Sequence, residues 1–79
     1  MKEVISVDRE IRAKLGKRIK NIRRMKEISI EDLAERVGLG VSTVYRVEHG
    51  LAPIDFGRIG LFAAGLEVTK EEVQSVLEG

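Results

Sequence analysis

The sequence has no cysteine, no tryptophan, a single proline, and aromatic residues at only 4% of its 79 positions. Each scarcity removes a class of function. Without cysteine neither a disulfide framework nor a thiolate metal site is available, and a reducing cytosol is the natural setting, so a cytoplasmic location is expected. So few aromatics argue against the stacking platform that grips single-stranded nucleic acid. No apolar run approaches the roughly 20 residues that cross a bilayer, and the opening MKEVISV lacks the long apolar core of a signal peptide. A soluble chain with no membrane partner is the expectation, and 79 residues bound it at one small domain.

The groups of catalysis are also missing. His49 is the only histidine, and nothing near it in the sequence suggests a metal site. Glu31 with Asp32, and Glu71 with Glu72, are adjacent carboxylates at helix starts, where they complement the helix dipole. Neighbouring positions on a helix do not face each other, so neither pair is an acid/base dyad. With no cysteine nucleophile and no glycine-rich phosphate loop, neither an enzyme nor a cofactor or small-molecule ligand is expected.

Charge is what the chain has in quantity, and it is unevenly placed. Between Arg9 and Lys26 stand Arg12, Lys14, Lys17, Arg18, Lys20, Arg23 and Arg24, against Glu10 alone. After Glu67 the balance turns acidic, with Glu71, Glu72 and Glu78 against Lys70. The formal net charge of +1 conceals this split. Such asymmetry suggests a basic face for a polyanion.

The organising stretch is Ser29 to Gly50, SIEDLAERVGLGVSTVYRVEHG. Ser29 with Asp32 has the spacing of a capping box. Leu33, Ala34 and Val37 then recur at helical spacing and stop at Gly38, where a helix commonly ends in a left-handed residue. Val41, Val44 and Val47 make a second apolar series up to Gly50. So short a glycine-containing connection is that of a helix-turn-helix. Helices crossing steeply over it need a small residue at the crossing, and Ala34 is that residue.

The remaining elements follow from periodicity and caps. Residues 1–7 read as an arm, either flexible or an edge strand, and residues 8–79 as a single domain with its motif at 29–50. From Asp8 onward Ile11, Leu15, Ile19, Ile22 and Met25 mark one face of a long amphipathic helix. With Ser29, Gly40, Asp55 and Thr69 as N-caps, the pairs Ile28 and Leu33, Leu39 and Val44, Ile54 and Ile59, and Val68 and Val73 all have the spacing of hydrophobic staples. Thr69 with Glu72 supplies a second capping box. A fourth helix over about Phe56–Leu66 would bury Phe56, Ile59, Phe62, Ala63 and Leu66. A fifth, over about Lys70–Glu78, would use Val73, Val76 and Leu77. Pro53 lies in a loop and breaks nothing.

In type and spacing, Leu15, Gly16 and Ile19, then Arg23, Leu33, Ala34 and Gly38, then Val44, Val47, Glu48 and Gly50, with Ala63 and Leu66, resemble the phage-repressor helix-turn-helix family, the Cro/repressor or XRE type. The resemblance spans about Leu15 to Val68. It implies an all-α fold, a compact five-helix lambda-repressor-like DNA-binding domain with the helix-turn-helix at helices 2 and 3. It further implies a sequence-specific regulator of transcription that binds double-stranded DNA, commonly as a homodimer, with the helix of about Val41 to His49 in the major groove. Carried over by position, Val41, Ser42, Tyr45 and Arg46 would meet base edges, Arg46 by spanning O6 and N7 of guanine and Val41 at a thymine methyl. Thr43 and the N–H groups at that helix start would meet phosphate, and His49 is a surface residue or a phosphate contact. Arg23 and Glu48 correspond to an ion pair that ties helix 1 to the recognition helix and lends Arg23 to the backbone.

The sequence also departs from that family. Ile30 replaces a frequent backbone-gripping glutamine, Leu51-Ala52-Pro53-Ile54 is apolar where relatives are often polar or basic, and Glu27 replaces a frequent glycine. An alternative use of the same fold is a protein-interaction module, partner of a toxin or of another regulator. Leu51, Ile54 and Leu61 would then form its apolar patch.

Overall fold

The computed structural model describes residues 2–77, with side chains from Arg9 onward. Its elements are α1 (Lys2–Met25), α2 (Ile30–Val37), α3 (Val41–Glu48), α4 (Phe56–Leu66) and α5 (Lys70–Gln74), the last continued by a 3₁₀ turn over Ser75–Leu77. The five-helix, all-α expectation holds, and all four expected N-caps are in place.

Those caps differ in how they work. Ser29 Oγ accepts from the Asp32 N–H at 3.0 Å, and Asp55 Oδ1 accepts from the Arg58 N–H at 2.9 Å. Thr69 and Glu72 form the reciprocal box, with Glu72 Oε1 accepting from the Thr69 N–H at 3.2 Å. Gly40 caps α3 with no side chain at all.

The helix ends follow one rule. Glu27, Gly38 and Glu67 have φ of 58°, 72° and 61°, the left-handed region. In each case the next residue donates back across the turn, Ile28 to Arg23, Leu39 to Ala34 and Val68 to Ala63, all at 3.0 Å. Ile28, Leu39 and Val68 are also the residues that precede the caps of α2, α3 and α5. One apolar side chain therefore closes one helix and helps start the next, which leaves these connections almost no freedom. Glycine is the natural occupant at Gly38 because it has no Cβ penalty there. The frequent family glycine that Glu27 replaces would sit in the same backbone state.

Leu15, Ile19 and Ile22 of α1, Leu33, Ala34 and Val37 of α2, Val44 and Val47 of α3, Ile59, Phe62, Ala63 and Leu66 of α4, and Val73 of α5 make one buried core. In it α2 packs on α3 and α4, while α1 lies against α3 on one flank and α5 with its 3₁₀ turn on the other. Ala34 is buried, as the crossing of α2 and α3 requires.

Several local expectations give way. The helix α1 starts at Lys2, ahead of Asp8, so the backbone of residues 2–7 is helical where an arm or edge strand was expected. No proline or glycine interrupts the chain before Gly16, and a cap residue permits a helix start without forcing one. Met25 is 80% exposed, because it ends α1 beyond the reach of neighbouring helices, and Ile28 fills the core in its place. Phe56, at the first position of α4, is 78% exposed for the same reason. Leu77 is exposed and Val76 only partly buried, since the chain tightens to a 3₁₀ turn and rotates them off the α-helical face. Glu78 lies outside the described residues.

Candidate nucleic-acid interface

The helix α3 is held from behind. Val44 and Val47 are buried against α1 and α2, and Glu48 is the buried polar residue of the core. Arg23 of α1 meets Glu48 in a bidentate pair, Nε to Oε2 at 2.6 Å and Nη2 to Oε1 at 3.1 Å. A third donor, Nη1, reaches the Ile28 carbonyl at 2.9 Å. One guanidinium thus joins the end of α1, the connection into α2 and the end of α3. With side chains 12% and 1% exposed, this is the expected tie between helices and not a loose surface pair.

A second fixing point is backbone against backbone. A Cβ on Gly16 would collide with the Val47 carbonyl oxygen and come within 2.8 Å of that of Glu48. The helix α1 therefore passes as close to the end of α3 as the chain allows. Gly16 carries part of the family resemblance, yet its role cannot be read from sequence spacing, because its contact lies in a distant segment.

Held this way, α3 turns Val41, Ser42, Tyr45, Arg46 and His49 to solvent, with Thr43 half-buried beside them. Residues three and four apart on a helix are neighbours. The face therefore carries two rows, Val41, Tyr45 and His49 in one and Ser42 and Arg46 in the other. Tyr45 and His49 interact directly: their rings stack with centroids 4.0 Å apart and planes at 23°. His49 Nδ1 lies 2.8 Å from the Tyr45 carbonyl oxygen. An oxygen of that kind only accepts, so this ring nitrogen carries the hydrogen. The i, i+4 spacing is the sequence signal that could have revealed this pair. At the other end no side chain caps α3, which leaves the N–H groups of its first turn open to an anion.

Not all the cations of α1 serve the α3 side. Arg23 is turned inward to Glu48, whereas Lys14, Lys17 and Arg18 line a shallow depression with Asn21 and Val76 on the α5 flank. Arg18 Nε donates to the Glu72 carbonyl oxygen at 3.0 Å, and Lys26 Nζ to that of Glu67 at 3.4 Å. Arg36, which the sequence did not single out, crosses from α2 to the Gly65 carbonyl oxygen of α4 at 3.0 Å.

Of the departures, Ile30 packs against the core and so has a structural duty where a backbone-gripping side chain is common. Ile54 is partly buried on the core, while Leu51 and Leu61 are exposed. Among the described residues no three His, Asp or Glu side chains come together as metal ligands. No helix there is long and apolar enough to cross a membrane.

Comparison with known proteins agrees with this geometry. The helix-turn-helix family profile matches residues 19–73. Among solved structures, the chain is similar to the restriction-modification controller protein C.AhdI from Aeromonas hydrophila. The two are 33% identical over 77% of this chain and 92% of that one, with a TM-score of 0.73. No curated protein matches the chain.

Proposed function

The chain belongs to the XRE-type helix-turn-helix family, and from that footing we propose that it is a sequence-specific regulator of transcription that binds double-stranded DNA with α3 in the major groove. The observation that carries this is the solvent face of α3, where Val41, Ser42, Tyr45, Arg46 and His49 stand free while Val44, Val47 and Glu48 anchor the helix from behind. The relative C.AhdI is a controller protein, and regulation through DNA is the corresponding role here. No catalytic step is part of it.

Arg46 reads sequence. Its forked donors match O6 and N7 of guanine, a contact that separates right from wrong base by about 1–3 kcal/mol. Ser42 lies one turn before it, within reach of the same or the adjoining base. Thr43 and the open N–H groups at the start of α3 bind backbone phosphate and set the register. Arg23 acts chiefly through Glu48, fixing the angle at which α3 meets the groove, and any phosphate contact falls to the donors that pair leaves over.

Fluorescence anisotropy on duplexes selected from a random pool tests this reading. Binding is expected to weaken steeply with salt as neutralised phosphates release counterions. Arg46→Ala is expected to erase about ten- to hundred-fold of the preference for selected over unselected duplex, while leaving weak salt-dependent binding. No binding at low salt would overturn the assignment and make the fold a scaffold for a protein partner.

The protein works as a homodimer on two half-sites. Leu51 and Phe56, with Leu61 farther along α4, are exposed apolar side chains near the α3–α4 connection, and a second copy is the partner such a surface fits. Sedimentation equilibrium is expected to give a dimer for the native chain and a monomer for Phe56→Ser. A monomer at every concentration for the native chain rules the pairing out.

A further inference from the structure

We propose that Val41, Tyr45 and His49 form an apolar reading row that recognises a C5-methyl group on the major-groove edge of a pyrimidine beside the base pair read by Arg46, with His49 as a positioning residue for Tyr45. The proposal rests on α3 being the DNA-reading helix and names what its second row reads.

Three observations support it. Ser42 and Arg46 form the polar row of the face, whereas the adjoining row offers a branched aliphatic and the faces of two rings, all exposed, with polarity only at the Tyr45 hydroxyl and the His49 ring nitrogens. A methyl group is the apolar feature that a base pair shows in the major groove, and aliphatic or aromatic side chains are what contact it. Next, Tyr45 is 50% exposed, and an exposed ring ordinarily samples several rotamers whose loss opposes binding. Here the ring is covered on one side by His49, stacked at 4.0 Å. Finally, His49 is itself fixed, because its Nδ1–H is committed to the Tyr45 carbonyl oxygen at 2.8 Å. The imidazole is folded back over the helix and acts as a stop for the phenol ring. Tyr45 is thereby ordered before any DNA arrives, and Val41 stands one helical turn earlier in the same row.

The test replaces each thymine of a selected duplex in turn by deoxyuridine, which deletes the methyl and keeps every hydrogen-bonding group. At one position per half-site, affinity is expected to fall about four-fold, the value of one buried methyl. Tyr45→Ala is expected to bind the thymine and uracil duplexes equally. His49→Ala is expected to lose most of that ratio, and His49→Phe, which keeps a stacking ring but loses the Nδ1–H tie to the Tyr45 carbonyl, to retain an intermediate part of it. A merely structural role for His49 would lower affinity for both duplexes alike and leave the ratio unchanged. A pool with every cytosine C5-methylated tells whether thymine or 5-methylcytosine supplies the group, and methyl dependence in either pool supports the row. If the native protein binds selected duplexes in an Arg46-dependent way yet no methyl deletion matters, the methyl-reading row is overturned while the DNA-reading helix stands. If no duplex is bound at all, both fall together. Equal ratios for His49→Ala and His49→Phe overturn the positioning role.

Discussion

Arg23→Ala is expected to cost about 3–5 kcal/mol of folding stability, the usual consequence of removing one partner from a buried ion pair. The loss exceeds that of an ordinary ion pair because of what remains. The Glu48 carboxylate is 1% exposed, and both its oxygens take their hydrogen bonds from Arg23. Deleting the guanidinium strands a buried charge and also frees the Ile28 carbonyl that Nη1 satisfied. A domain of this size has about 4–12 kcal/mol in total, so the variant loses from about a quarter of its stability to all of it. Urea denaturation followed by far-ultraviolet circular dichroism measures this directly. The double variant Arg23→Met with Glu48→Leu is expected to regain most of the loss, since a buried pair exchanged for apolar groups of similar volume is often neutral. An Arg23→Ala protein as stable as the native one would mean that the pair does not hold the fold. A double variant that is stable yet binds DNA poorly would assign the pair to aiming α3 and not to stability.

Gly16→Ala is expected to cost about 3 kcal/mol or more, the upper end of what overpacking does, because the obstacle is backbone and cannot rotate away. The added methyl would overlap the Val47 carbonyl oxygen and crowd the Glu48 carbonyl, so α1 and α3 must separate. Separation also stretches the Arg23–Glu48 pair, which links the same two helices, so the two losses are coupled and will not add in a double variant. Alanine is otherwise the better residue in a helix by about 1 kcal/mol. Gly57 in α4 is the control, since a Cβ there meets only Asp55 Oδ1, at 3.4 Å. Gly57→Ala is expected to stabilise the protein by up to about 1 kcal/mol, although the site is near the helix start. Opposite signs for the same substitution at two helical glycines would locate the close approach at Gly16. A midpoint unchanged by Gly16→Ala would show that the helices do not meet there.

What is local in this protein was legible from its residues. Ser29, Asp55 and Thr69 start helices because a cap side chain acts on N–H groups two or three residues away, and Gly40 starts α3 through its extended backbone alone. Ile28, Leu39 and Val68 act on the turns they sit in. The buried residues of α2 and α3 follow from a period of 3.6 residues, except that Val41, in the same apolar series as Val44 and Val47, is exposed. The outward set Val41, Ser42, Tyr45, Arg46 and His49 came from the family resemblance. The helices and their boundaries thus needed only interactions spanning about one helical turn, and the family resemblance supplied the fold and the candidate reading helix.

Tertiary structure decided what lies farther apart. Periodicity gave Met25 and Phe56 inward positions, but burial needs a partner as well as a direction, and both stand at helix ends with no neighbour opposite them. The family pattern pointed to Arg23 with Glu48, yet only the meeting of α1 and α3 across 25 residues of chain makes their pair bidentate and buried. The small residue that matters most at that crossing is Gly16, whose contact with the end of α3 no local pattern encodes. The stack of His49 on Tyr45 is intermediate, a one-turn contact available to the sequence whose ring geometry and Nδ1 hydrogen bond only the structure supplies. Local chemistry placed the helices and their faces, and long-range packing set the angle and rigidity with which α3 is presented, because a contact between distant segments depends on the balance of the whole core and not on the residues beside it.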